Sequence, residues 1–237
     1  ICAMPMPSSG GLAILQILGI LEHFDLEQME PFSAEAIHVI SEAMRLVYAD
    51  RAEFAADDRF VEVPYELLLD KEYLKLRSYK INIDATMIDV EPGEFSVINK
   101  TPPFTFPKNK QIEPDSTTHV SIIDSYGNAV SFTSSIEYSF GSGLMVRGFL
   151  LNNQLTDFSF RPYIDNVIVA NRVQPLKKPR SSMAPMFIFN EDDELEMVLG
   201  SPGGARIIPY ILKNIIAVLD WGMNINDAVA SPNFAKM

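Results

Sequence analysis

The sequence predicts an α+β fold, and two observations carry that prediction. Apolar residues recur at helical spacing through the first third of the chain. After residue 117 the pattern changes to short alternating runs paired across turn signals, closed by one more helix.

Taken in order, residues 11–24 hold a dense apolar set: Leu12, Ile14, Leu15, Ile17, Leu18, Ile20 and Leu21. This reads as a helix buried on most sides. Ser8-Ser9-Gly10-Gly11 ahead of it reads as its cap. Ser33 is an N-cap for a second helix, with Glu35 in the first turn where the helix dipole favours an acid. Ile37, Ile40, Met44, Val47 and Tyr48 follow at helical spacing. A third helix is expected over about 65–80, opening near Pro64. Residues 85–115 contain five prolines and little periodicity, which predicts a loop. Thr118–Asp124 and Ala129–Ser135 alternate as strands around Ser125-Tyr126-Gly127-Asn128, a hairpin signal. Met186–Phe189 and Leu195–Leu199 form a second such pair. Gly203-Gly204 then opens a helix with Ile207, Ile208, Ile211, Ile215 and Leu219 on its apolar face. Pro209 falls in its first turn, where a missing N–H is harmless. Asp227–Ala230 reads as a last short helix.

The 237 residues suffice for one substantial core, and 47% apolar against 21% charged residues is an ordinary globular balance. The net charge of −12 argues against nucleic acid or anionic lipid as a partner. That charge is uneven: residues 1–116 hold 20 acids against 10 bases, residues 117–237 hold 11 against 9. The single cysteine, Cys2, allows no internal disulfide, and three scattered histidines give no metal spacing, so neither metal nor cofactor is expected. No apolar run approaches the ~18 residues of a membrane span. The chain opens in mid-motif at Ile1-Cys2-Ala3-Met4 without an initiator methionine, which reads as one part of a longer protein; its compartment is left open.

The chemistry centres on Thr117. A threonine hydroxyl is a weak nucleophile unless a base lies beside it, and its own α-amino group can serve once the chain is cut just before it. A threonine heading a strand is ordinarily only a strand start, but its context is specific. Thr117-Thr118-His119, Gly127-Asn128-Ala129-Val130, Leu150-Leu151-Asn152-Asn153-Gln154, Ser181-Ser182-Met183 and Gly200-Ser201-Pro202-Gly203-Gly204 together resemble the γ-glutamyltranspeptidase family. Upstream, Met6–Gly11 and Tyr48-Ala49-Asp50-Arg51 resemble it too. The resemblance runs from the first residue to about Asn233. It implies the four-layer αββα sandwich of N-terminal-nucleophile hydrolases. It also implies self-cleavage between Ser116 and Thr117, with residues 1–116 as the end of a large subunit and residues 117–237 as the start of a small one. The two subunits would remain partners within one structural domain, acting on a γ-glutamyl small molecule.

By the same resemblance, Thr117 is the nucleophile and Ser135 the hydroxyl that supports it. Ser181 and Ser182 would donate to a substrate carboxylate. Gln154 and Asp157 would accept from a substrate α-ammonium, a physical match for a carboxylate. Gly203 and Gly204 are the oxyanion candidates, since two glycines before a helix present bare N–H groups where negative charge is favoured.

Two departures matter. Glu137 stands where the family usually carries asparagine; it can still accept from an ammonium, but it repels an acyl group bearing only a carboxylate. The family's carboxylate-binding arginine belongs to a segment before Ile1, and neither Arg180 nor Arg206 has a claim to its role. Ser135-Ile136-Glu137 resembles an acylase-like branch. An acylase for another amide, such as a β-lactam side chain, therefore stays open, as does an uncut, non-catalytic member or fragment. His119 shares a strand face with Thr117 and is expected to pack rather than act as a base.

Overall fold

The computed structural model describes residues 1–100 and 116–237. Part of the expected loop, residues 101–115, lies outside the described residues.

The chain starts with a two-residue strand, β1 (Cys2–Ala3), which nothing in the sequence pattern announces. Helix α1 (Gly10–Leu21) follows and ends before the expected residue 24. Ser9 does not cap it. Its backbone is already helical (φ −79°, ψ −7°) and its hydroxyl is engaged elsewhere. Helix α2 (Ala34–Phe54) does have the expected cap, with Ser33 Oγ accepting from Ala36 N at 3.2 Å. The expected third helix is two: α3 (Tyr65–Leu68) and α4 (Lys71–Ser78). Asp70 is the cause of the break, because its carboxylate caps Glu72 N and Tyr73 N and starts a new helix.

The central hairpin pairs β2 (Thr117–Ile123) with β3 (Ala129–Ser135) in antiparallel register, placing Thr117 opposite Ser135. Asp124 fixes the turn by accepting from Tyr126 N and Asn128 N, and Gly127 takes φ 83°. Two small hairpins were not legible in the pattern: β4 (Met145–Val146) with β5 (Phe149–Leu150), and β6 (Tyr163–Ile164) with β7 (Val167–Ile168). Two-residue strands are too short to show a period. Strands β8 (Met186–Phe189) and β9 (Leu195–Leu199) fall where the sequence places them. They form an antiparallel sheet in the order β1-β8-β9. After Gly203 comes a 3-10 turn, Gly204–Arg206, before α5 (Ile207–Leu219), so the helix proper opens later than expected. The chain closes with α6 (Ile225–Ala230), capped by Asn224.

The core lies between α1, α2, α4, α5 and the inner face of β8–β9. Ile14, Ile17, Ile20, Ile40, Met44, Leu212 and Ile216 are all fully buried within it. Each such side chain contributes about 1.5–3 kcal/mol relative to exposure. Asp50 is the polar knot of this core. It accepts from Gln16 Nε2 (3.1 Å), Tyr73 OH (2.8 Å), Arg77 Nη2 (3.0 Å) and Gly93 N (2.7 Å). Burial pushes its carboxyl pKa up, against the pull of Arg77. One carboxylate thus ties α1, α2, α4 and the loop at Gly93. Among the described residues, no helix is long and apolar enough to cross a membrane.

Candidate active site

The start of β2, the end of β3, the 3-10 turn Gln154–Asp157, the Ser181-Ser182 segment and the turn before α5 converge on one open pocket. Its lining is Thr117, Ser135, Glu137, Gln154, Asp157, Ser181, Ser182, Met183, Gly204 and Ile207. Eight of the nine site residues expected from the sequence therefore meet. The exception is Gly203, which sits one residue behind the lining as the cap of the 3-10 turn. Both glycines take positive φ, 132° and 55°, a conformation other residues adopt only under strain.

Register sets the geometry around Thr117. Its Oγ1 lies 3.5 Å from Ser135 Oγ, at the outer limit of a hydrogen bond. The Ser135 hydroxyl donates to the Ser116 carbonyl at 2.9 Å and accepts from Glu137 N at 2.9 Å. So the carbonyl before Thr117 is already polarised by a neighbouring hydroxyl. On the same strand face, His119 Nδ1 is 2.8 Å from Thr133 Oγ1 and Nε2 is 3.0 Å from Ser121 Oγ. Its ring packs so tightly on Gly200 that a Cβ there would lie 1.9 Å away. Burial lowers its pKa. The packing expected for His119 is what these contacts describe.

The acidic wall holds Glu137 and Asp157, both buried. Asn153 Nδ2 donates to Glu137, and Gln154 Nε2 donates to Asp157. Glu137 has φ 74°, in the left-handed region that asparagine tolerates and glutamate does not favour. The same pocket is lined by Ser181 and Ser182. Ser181 is stitched to the loop before α1: Ser181 N donates to Pro7 O, and Ser9 N and Ser9 Oγ both donate to Ser181 O. Ser182 is buried and accepts from Arg51 Nη2 at 2.6 Å. Arg180, fully buried, donates from Nη1 to the Arg51 carbonyl at 2.8 Å, a local structural role. Sequence reasoning placed Arg51 in a motif but gave it no task at the site. A buried arginine among hydroxyls has no periodic signal to reveal it.

The class follows from fold and site together: a mixed helix-and-strand chain whose pocket gathers hydroxyl groups, a bare-backbone turn and two acids beside a strand-leading threonine. Within that class the chain belongs to the gamma-glutamyltranspeptidase family, whose model matches residues 1–237. It is 39% identical to the glutathione hydrolase proenzyme of Escherichia coli (strain K12), over 98% of this chain and 39% of that relative. It is 41% identical to the glutathione hydrolase proenzyme of Bacillus subtilis (strain 168), again over 98% of this chain and 39% of the relative. The acylase ACY 1 proenzyme of Pseudomonas sp. (strain SE83) is 33% identical over 96% of this chain and 37% of its own length. The chain thus spans about two fifths of the length of the curated relatives it matches. Among solved structures, the cephalosporin acylase of Bacillus halodurans superposes with a TM-score of 0.78 at 24% identity, covering 97% of this chain and 37% of that one; this likeness concerns the fold.

Proposed function

We propose that this chain is part of a self-cleaving amidohydrolase or acyltransferase that uses Thr117 as an N-terminal nucleophile on γ-glutamyl amides. The observation that carries the reading is the Thr117–Ser135 register. It sets the Thr117 hydroxyl beside a second hydroxyl that itself donates to the Ser116 carbonyl. The Thr117 oxygen adds to the Ser116 carbonyl carbon, and the C–N bond breaks as the nitrogen takes up a proton. Water then hydrolyses the resulting ester. The products are a Ser116 carboxylate and a free Thr117 amine. Residues 1–116 become the end of a large subunit and 117–237 the start of a small one, arranged as the four-layer αββα sandwich of N-terminal-nucleophile hydrolases.

In turnover the freed amine takes the Thr117 hydroxyl proton and the oxygen attacks the γ-carbonyl. The developing oxyanion is met by backbone N–H at Gly203 and Gly204. The leaving amine departs with a proton, and the acyl-Thr117 ester passes to water or to an amino acid. Ser181 and Ser182 hold the substrate α-carboxylate; Glu137, Gln154 and Asp157 hold the α-ammonium. The glutathione hydrolase names of the relatives support this substrate class.

The departure from the family pattern at Ser135-Ile136-Glu137 keeps a second reading open, an acylase for another amide, and relatives named as acylases support it. Kinetics on a γ-glutamyl anilide against a glutaryl amide separate the two. Turnover of the γ-glutamyl compound with little of the glutaryl one is the expected result, and the reverse preference would establish the acylase.

A further inference from the structure

We propose that Tyr48 and Arg51 are a positioning pair that holds two walls of the pocket from behind; for its substrate contacts this rests on the γ-glutamyl reading above. The two residues lie three apart on α2, and so on one face of the helix. The Arg51 guanidinium lies 5.7 Å from the Tyr48 ring centroid. Neither side chain lines the pocket. Each reaches a residue that does, or its immediate neighbour.

Tyr48 OH donates to the Ala205 carbonyl at 2.5 Å. Ala205 directly follows Gly204, inside the 3-10 turn that presents the backbone N–H groups. The bond anchors this turn to the middle of a buried helix. Arg51 works on the Ser181-Ser182 side. Its Nη2 donates to Ser182 Oγ at 2.6 Å and its Nε to Ser9 Oγ at 2.7 Å. Ser9 Oγ in turn donates to the Ser181 carbonyl at 2.7 Å. One guanidinium thereby fixes both serines, one directly and one through Ser9.

The chemistry of the groups gives this a direction. A guanidinium only donates, and a serine hydroxyl has one proton and two lone pairs. Accepting from Arg51 leaves the Ser182 proton pointing away from the guanidinium. Arg51 thus acts on Ser182 only as a donor and keeps a permanent buried cation behind its hydroxyl. Such a group suits a carboxylate. The structure assigns Tyr48 to the oxyanion side and Arg51 to the carboxylate side, so the two should affect different kinetic constants.

The test uses the full-length protein with a γ-glutamyl anilide and with the matching γ-aminobutyryl anilide, which lacks the α-carboxylate. Arg51→Gln should raise KM for the γ-glutamyl anilide about tenfold while kcat changes less than ~3-fold. Arg51→Lys should recover part of that loss. On the γ-aminobutyryl anilide the Arg51→Gln penalty should disappear. Tyr48→Phe should lower kcat about tenfold on both substrates and leave KM nearly unchanged. Parallel loss of kcat on both substrates in the Arg51 and Tyr48 variants, tracking a fall in Tm, would overturn the proposal in favour of mere structural support. If the wild-type protein turns over neither anilide, the functional reading fails, and crystal structures of the two variants decide the positioning claim alone. Displacement of Ser182 Oγ in Arg51→Gln and of the Gly204–Ala205 turn in Tyr48→Phe supports it. Both groups remaining in place would refute it.

Discussion

At the scale of single residues, the site rests on two side chains whose roles can be separated. Ser135 bridges Thr117 Oγ1 and the Ser116 carbonyl, and in the proposed mechanism it serves both the cut and the later turnover. Ser135→Ala should slow self-cleavage and lower kcat by roughly 10²-fold, the scale of one lost group in such a site. Ser135→Thr restores the hydroxyl and should recover most of both, read from cleavage time courses and anilide kinetics. In the proposed function Glu137 is the residue that discriminates between substrates. Glu137→Asn suits the left-handed backbone and removes one charge, so the preference for γ-glutamyl over glutaryl amides should narrow about tenfold in kcat/KM. Much of this was legible in the sequence. Thr117, Ser135, the acids and the serines are side chains with motif spacing, and all of them line the pocket. What stayed hidden were partners through space. Nothing in the spacing joins Arg51 to Ser182 or Tyr48 to Ala205, because those bonds cross 131 and 157 positions of chain.

At the scale of elements, the hairpin β2–β3 is held against β9 by small contacts. Ser131 Oγ donates to the Leu199 carbonyl at 2.6 Å, and the His119 ring lies on Gly200. Gly200→Ala should push the ring away and lower stability by about 1–3 kcal/mol, measured by urea unfolding, with cleavage slowed because Thr117 leads the same strand. Asp57 gives a second test. It lies past α2 and accepts from Arg59 and from Lys178 N, tying α2 to the segment before Ser181. The Arg59 hydrogen bonds hold its pKa down to about 2. A carboxyl depressed in the folded state stabilises the fold above its unfolded pKa of about 4, and that stability is lost as pH falls toward 2. Asp57→Asn should therefore flatten the acid limb of the stability–pH curve between pH 4 and 2, followed by circular dichroism. Longer periodic elements such as α2, β2 and β3 were plain in the sequence. The split at Asp70 and the two-residue strands were not, since capping competes with helix propagation locally and two residues carry no period.

At the scale of the whole molecule, the core straddles the expected cut. Strand β1 pairs with β8, and α1 packs against α5, joining residues on either side of Thr117. Trp221 Nε1 also donates to the Leu26 carbonyl at 3.0 Å. Both pieces should then co-elute after cleavage under native conditions and separate only in denaturant, as gel filtration with and without urea can check. Fold class was legible at this scale because helices precede strands in the sequence.

In the proposed mechanism everything depends on Thr117 becoming an N-terminal nucleophile. Intact mass under denaturing conditions, with Thr117→Ala as control, tests it most directly. Self-cleavage should give two species, the second beginning at Thr117, with the control remaining whole. A single uncut species in both proteins would contradict it.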